Sequence, residues 1–366
     1  MNLTSRGHGS RETPVPDVVF AIPGDITAKT GGYIYDRRVM DFLPEVGWRP
    51  HHLVLPGDFP LPSKASLGET ERRLAHASPS DALVLVDGLA YGALPADLIR
   101  HTKRRIVALV HHPLSLEAGI SAERAAHFAR SEREALAQAD HVIVTSPSTG
   151  ELLVSDFDVP WEKITVAEPG TNPAPRARGS LGPPRLLSVG SVTEHKGYGV
   201  LIKALAQIAD LPWQSHIVGS LDRDPDMVKS LRDTASNTGL AQRVILRGAL
   251  NEAELNGEYA EARLFVLPSY FEGYGMAFTE AMTRGLPVVA CAAGAVPKTV
   301  PADAGVLVPP GDADALAQAL RRLLTNRNEL EVRANAAWAY GQTLPRWRDT
   351  ANRVAGGLTA VLKKAS

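Results

Sequence analysis

The sequence predicts an α/β protein built from two Rossmann-like domains facing a central cleft, and three observations predict it. Short runs rich in Val, Ile and Leu alternate with helical stretches along the whole chain, the pattern of parallel strands joined by helical crossovers. A segment with five prolines and three glycines in 16 residues, 169–184, divides the chain almost midway. The length, 366 residues, accommodates two domains of about 150 residues each.

In the first half the strand-like runs lie at residues 18–22, 52–55, 82–86, 106–110, 142–145 and, more weakly, 164–167. In the second half they lie at 185–189, 215–218, 244–246, 264–267, 288–290 and 306–308. Continuous apolar runs of this kind suit parallel strands covered on both faces. Between them, residues 121–139 contain no Gly or Pro and set Ala125, Phe128, Ala129 and Leu136 on one side. Residues 200–209 carry a stripe of Leu201, Leu205 and Ile208, and residues 313–324 one of Leu316, Leu320 and Leu323, as amphipathic helices do. The composition of 169–184 breaks regular structure. After Pro345 a last helix puts Trp347, Ala351, Val354, Leu358 and Val361 on one face; it covers its own domain or crosses to the other. The expected division is a flexible tail over 1–16, an N-terminal domain over 17–175, a C-terminal domain over 183–342 and the last helix over 343–366.

Composition narrows the function. Hydrophobic residues make up 44% and charged residues 22%, which excludes a mostly disordered chain. The apolar runs fall far short of the ~20 residues that span a bilayer. Residues 1–16 are polar and have no apolar core of a secretory signal, so a cytoplasmic location is expected. The single cysteine, Cys291, excludes an intramolecular disulfide and a cysteine zinc site, and its apolar surroundings suggest a buried, inert thiol. The net charge is -1, and residues 1–178 hold 19 basic against 22 acidic side chains. Neither half has the basic excess of a nucleic-acid binder. The basic cluster Arg100, Lys103, Arg104 and Arg105 reads best as a solvated helix end, so stable membrane attachment is the less favoured reading.

In doubly wound sheets, ligands bind beyond the carboxyl ends of the strands, so site residues are expected in the loops and first helical turns that follow strands. The strongest such segment is 268–290, PSYFEGYGMAFTEAMTRGLPVVA. A strand enters a loop holding Gly273 and Gly275, and a helix starts near Met276. The N–H groups of Gly275, Met276 and Ala277 form a nest suited to a diphosphate. Glu272 and Glu280 flank that turn, and a carboxylate accepts two sugar hydroxyl protons at once. Tyr274 is a candidate donor contact, Phe271 is open between contact and packing, and Phe278 reads as core.

This Glu272-x7-Glu280 arrangement resembles glycosyltransferase family 4, the retaining nucleotide-sugar enzymes of GT-B fold. The similarity extends over both halves. Residues 187–197 (LSVGSVTEHKG) look like the family's first strand and loop of the C-terminal domain, with Lys196 at the diphosphate-binding lysine. Residues 294–312 look like the segment that follows the glutamates. Residues 30–33 (TGGY) look like the glycine-rich loop of the N-terminal domain, and 109–113 (LVHHP) sit where the family often has a strand-terminal histidine. The chain departs at two places: Ser191 stands where many members have Arg, and Lys298 where many have Glu. The missing cation would then come from elsewhere, with Arg247 as a candidate.

The resemblance implies that Lys196 neutralises the departing diphosphate, Glu272 contacts donor-sugar hydroxyls and Glu280 the ribose. Gly31 and Gly32 would let the backbone approach the phosphates, and His111, more than His112, would contact the donor sugar. Asp25, Asp87 and His112 are weaker acceptor-side candidates. The implied last helix crosses back to the N-terminal domain, and no cofactor or metal is expected. Alternatives are an epimerase of GT-B architecture and a silent sugar-nucleotide binder. A metal site at Asp222-Arg223-Asp224, as in a GT-A enzyme, is disfavoured by the two-domain layout, and a dehydrogenase by the missing glycine fingerprint.

Overall fold

The structure, a computed structural model, describes residues 15–117 and 119–363; residues 1–14 of the expected tail lie outside that range. Two six-stranded sheets, parallel throughout, lie on either side of the proline-rich segment. The first holds β1 (Asp17–Pro23), β2 (Arg49–Leu55), β3 (Leu83–Asp87), β4 (Ile106–Val110), β5 (His141–Val144) and β6 (Ile164–Val166), in the order β2-β1-β3-β4-β5-β6. The second holds β7 (Arg185–Val189), β8 (Gln214–Val218), β9 (Val244–Gly248), β10 (Ala262–Leu267), β11 (Val288–Cys291) and β12 (Gly305–Val308), in the order β12-β11-β10-β7-β8-β9. Each strand-like run of the sequence corresponds to one of these strands.

Successive side chains on a strand point to opposite faces, and the first sheet uses both. Val19, Val84, Val86, Ala108 and Val144 face a core with Leu74, Tyr91 and Phe157. Val18, Phe20, Leu85, Val107, Leu109 and Ile143 face a second core, which Tyr35, Val39 and the C-terminal helix Trp347–Lys363 complete. On that helix Trp347, Ala351, Val354, Leu358 and Val361 are all buried. The helix therefore crosses back onto the N-terminal sheet, and each large apolar side chain so buried stabilises the crossing by roughly 1.5–3 kcal/mol. The two passages of chain between the halves run side by side. The Thr171 N–H donates to Pro345 O at 2.8 Å, and a Cβ on Gly170 would fall 2.3 Å from Trp347 N.

In each sheet the chain starts on an inner strand and builds outward both ways. The strand order reverses between β1 and β3 in the first sheet and between β7 and β10 in the second. Loops leave such switch points in opposite directions and open a crevice there. The loops singled out in the sequence follow β1, β3 and β4, and β7 and β10.

The helix Arg327–Thr343, with Leu330, Ala337 and Gly341 as its buried positions, has too weak a stripe for the sequence pattern to reveal. Cys291 is buried, and that burial pushes its thiol up to about 11. Arg104 donates to the carbonyls of Ala77, Pro79 and Ala82 and so is spent on structure. Among the described residues no helix is long and apolar enough to cross a membrane.

Candidate active site

The C-terminal half of the site is held by glycines. Beyond β7 the chain makes a short turn, Glu194–Lys196, and reverses at Gly197 with φ 69°. A Cβ on Gly197 would lie 2.0 Å from Pro268 O, so its absence lets this turn press against the loop after β10. There Lys196 Nζ donates to Glu272 Oε1 at 2.7 Å, with side chains only 18% and 13% exposed. Burial acts to raise the Glu272 carboxyl, but the adjacent Lys196 ammonium overrides it and holds the carboxyl below its usual range. The Glu272 carbonyl accepts the Ala295 N–H at 2.9 Å.

Gly275, with φ 91°, caps the helix Met276–Met282. Fully buried Phe278 anchors that helix against Phe265, their rings edge-on at 5.8 Å. The first-turn N–H groups of Met276 and Ala277 have no carbonyl four residues back within the helix to accept them. Glu280 follows one turn later. Tyr259 Oη donates to its Oε2 at 3.1 Å, and burial raises its carboxyl above the usual value despite Arg284 nearby. Tyr274 is 7% exposed, so its ring is packed inside.

In the N-terminal half, Gly31 and Gly32 do not form a loop. They open the helix Gly31–Phe42, whose cap, Thr30, accepts the Tyr33 N–H through its hydroxyl at 3.3 Å. A Cβ on Gly32 would sit 3.4 Å from the His111 ring. His111 Nε2 lies 3.2 Å from both Asp36 Oδ1 and Asp87 Oδ2. Burial acts to lower the imidazole, but the two carboxylates raise it to about 10. Asp36 is fully buried, and burial and the neighbouring Asp87 carboxylate raise its own carboxyl. Asp36 was not singled out by the sequence; a charge beside Tyr35 and Val39 on the inward face of a helix was the available signal. Asp87, expected on the acceptor side, instead holds His111 and caps a short helix by accepting the Leu89 N–H at 2.9 Å. Asp25 is exposed, and its Oδ1 accepts both the N–H and the hydroxyl of Thr27. His112 Nε2 lies 2.8 Å from Glu117 Oε2.

The two halves touch. A Cβ on Gly273 would fall 2.5 Å from His111 O, so this loop of the C-terminal half rests on the end of β4. Phe271 lies near His112, ring centres 6.1 Å apart. Lys29 Nζ donates to Leu250 O at 3.0 Å. Lys298, at the position where many family members have Glu, pairs with Glu151 of the opposite half. The structure thus brings Lys196, Glu272, Gly273 and His111 to one place.

It positions others elsewhere. Ser191 lies in the turn after β7, where its N would be 2.8 Å from a Cβ on Gly219. Arg247 Nε is 2.9 Å from Glu258 Oε1; the same carboxylate holds His216 and Arg185, so Arg247 is committed to that network. Asp224 caps the helix Pro225–Asn237 by accepting the Met227 N–H at 3.0 Å, which accounts for an acid directly before Pro225. Among the described residues, Asp36, Asp87 and His111 are the one trio of acidic and histidine side chains with one nitrogen or oxygen atom each, all within 4.8 Å of one another.

Comparison with known proteins agrees with this fold. The family described as Glycosyltransferase Family 4 matches residues 26–174, and that described as Glycosyl transferases group 1 matches residues 175–338. A D-inositol 3-phosphate glycosyltransferase of Arthrobacter sp. is 33% identical over 177 residues, 44% of this chain and 42% of the relative. An MMP alpha-(1->4)-mannosyltransferase of Mycolicibacterium hassiacum is 26% identical over 241 residues, 62% of this chain and 58% of the relative. The matches span about half the length of these curated relatives. Sucrose-phosphate synthase from Thermosynechococcus elongatus has a similar structure, with TM-score 0.78 and 24% identity over 95% of this chain and 100% of that one. Anabaena HepE, solved with UDP and glucose, gives TM-score 0.76 and 19% identity over 94% of this chain and 100% of that one. With its halves matched in turn by these two families and its sheets arranged as in these structures, the chain belongs to glycosyltransferase family 4 and has the GT-B fold.

Proposed function

We propose that this chain transfers a hexosyl group, with retention of anomeric configuration, from a nucleotide-diphosphate sugar to an acceptor hydroxyl. The observation that carries this reading is the partly buried Lys196–Glu272 pair at the β7/β10 switch point, set directly against the His111 end of β4. That HepE was solved with UDP and glucose supports a nucleotide-sugar donor.

In this reading the domain over 183–342 binds the donor and that over 17–175 the acceptor. Lys196 supplies positive charge where the diphosphate leaves, an effect on the order of 3 kcal/mol in a site with little water. The N–H groups of Gly275, Met276 and Ala277, at the positive end of a helix, take the phosphate oxygens. Glu272, kept ionised by Lys196, accepts sugar hydroxyl protons. Glu280 accepts from the ribose in the same way. The incoming hydroxyl approaches the face that the diphosphate vacates, and a phosphate oxygen takes its proton. The protein then positions the reactants and stabilises charge, without a covalent nucleophile. Lys196 and the helix N-terminus do the work that a metal ion does elsewhere, so turnover without added metal is part of the proposal. So are a cytoplasmic location and action without nucleic acid or stable membrane attachment.

The test is incubation with a panel of nucleotide sugars and hydroxyl acceptors, with and without EDTA, reading free nucleoside diphosphate and the product anomer by NMR. The proposal expects diphosphate release that EDTA leaves unchanged and a product with the donor's configuration. Binding without release, or isomerised sugar without acceptor, contradicts it.

A further inference from the structure

The trio beneath the cleft has a composition that the transfer reaction as set out above does not use. His111 Nε2 lies between two carboxylate oxygens, each at 3.2 Å, from Asp36 on the helix Gly31–Phe42 and Asp87 at the end of β3. Those side chains are 0% and 3% exposed. A bare nitrogen lone pair aimed at two carboxylates is repulsive, so Nε2 carries a proton shared in a three-centre bond. Among the described residues no Lys or Arg pairs with either carboxylate. The other polar groups against the ring are committed elsewhere. Tyr33 Oη donates to Pro23 O and Tyr35 Oη to Ala167 O, and Tyr35 meets the imidazole with its ring edge-on at 5.3 Å. Thr145 Oγ1 bonds the His111 carbonyl, and the one charge on the Gly273 loop, Glu272, is paired with Lys196. His112 and Glu117, next along the chain, pair with each other. The imidazole is therefore the sole counter-charge to two buried carboxylates, and burying such charges without one is costly.

We propose that Asp36 and Asp87 are positioning residues that keep His111 doubly protonated, so that it meets the donor as a fixed cation and hydrogen-bond donor rather than as a general base. This rests on the glycosyl-transfer reading and deepens it. With Nε2–H held by the carboxylates, Nδ1–H is the remaining donor, and no protein group accepts it among the described residues. An N–H of this kind suits an electron-rich oxygen, a sugar hydroxyl or a phosphate oxygen of the donor. Gly32 lies against the same ring, where a Cβ would make ordinary contact at 3.4 Å. The raised imidazole and the raised Asp36 carboxyl agree with a trio that retains protons at neutral pH.

The experiment is NMR titration of the ring nitrogens in the full chain labelled with 15N-histidine, with His111 assigned from H111Q, on wild type, D36N and D87N. The pH profile of kcat/KM is measured on the same proteins. The expected result is a wild-type His111 that stays an imidazolium from pH 6 to 9, and a titration at least one unit lower in D36N. D36N should also lose kcat/KM as pH rises past that lower value and regain it, at least tenfold, on acidification. A purely structural role for Asp36 would lower the rate equally at every pH. A wild-type His111 titrating near 6.5, or a D36N profile parallel to wild type, overturns the inference. D87N and the wild-type titration decide it if D36N does not fold. Absence of any nucleotide-sugar turnover by wild type would instead refute the function, while the titrations still report on the trio.

Discussion

Gly273 and the His111 carbonyl meet so closely across the cleft that a Cβ on the glycine would lie 2.5 Å from that oxygen. Contact at this point sets how near the Glu272 loop comes to the end of β4. Gly273→Ala cannot be accommodated without moving one loop off the other. Kinetic assay and calorimetry on this variant are expected to show kcat/KM down at least tenfold. Its stability should fall by only about 1–3 kcal/mol, the usual cost of overpacking. Wild-type activity in this variant would mean that the contact is incidental.

Lys196 stands on one loop and Glu272 on another, and each satisfies the other's charge. Lys196→Ala removes the cation at the leaving group and leaves the partly buried Glu272 without its partner. We expect kcat to fall on the order of 100-fold, equivalent to about 3 kcal/mol, with a smaller change in KM. Steady-state kinetics over a range of donor concentrations separates the two.

Glu280 lies one turn further along the helix and is bonded by Tyr259. Its proposed partner is the ribose, so Glu280→Ala should weaken binding of the nucleoside diphosphate itself. Isothermal titration is expected to give a Kd raised about tenfold, in line with the loss of one or two hydrogen bonds from a buried charge. An unchanged Kd with a slowed kcat would move Glu280 to the reacting sugar.

Glu132 gives a stability prediction independent of catalysis. It is 1% exposed in the helix Ala122–Leu136, and its Oε2 accepts the Leu114 N–H at 2.9 Å. Burial raises its carboxyl to about 8, the Leu114 bond only partly opposing this. The folded state thus binds the proton more tightly than the unfolded chain, so stability is lost as pH rises from about 4.5 to about 8. Glu132→Gln keeps an acceptor for Leu114 and has no charge. Its thermal midpoint relative to wild type should rise across that window and level off above pH 8. Parallel curves for the two proteins would contradict the shift.

Much of this was legible before folding. Apolar runs marked the strands because parallel strands buried on both faces leave little room for polar residues, as in β3 and β4. Glu272 stood out in the sequence by its glycine loop and Lys196 by the resemblance of residues 187–197 to a family loop, and the structure pairs the two. The edge strand β2, with Val54 exposed, still read as a strand from its apolar end, Leu53 to Leu55. What stayed hidden depends on tertiary contact. Asp36 is four residues beyond Gly32 on an inward helix face, and only the approach of β3 and β4 gives it His111 and Asp87. Arg247, on β9, looked like a free cation until Glu258 arrived from the helix Glu252–Glu261. For Asp224 a local signal existed, since an acid before Pro225 is a common helix start.

The central claim is that the loop at Glu272, with Lys196 and the start of the helix Met276–Met282, grips the diphosphate of an activated sugar. The most direct measurement is a crystal structure with the nucleotide sugar that most stabilises the protein against heat. The account predicts diphosphate oxygens within hydrogen-bonding distance of Lys196 Nζ and of the Met276 and Ala277 N–H groups. A fully occupied ligand bound away from all three would contradict it.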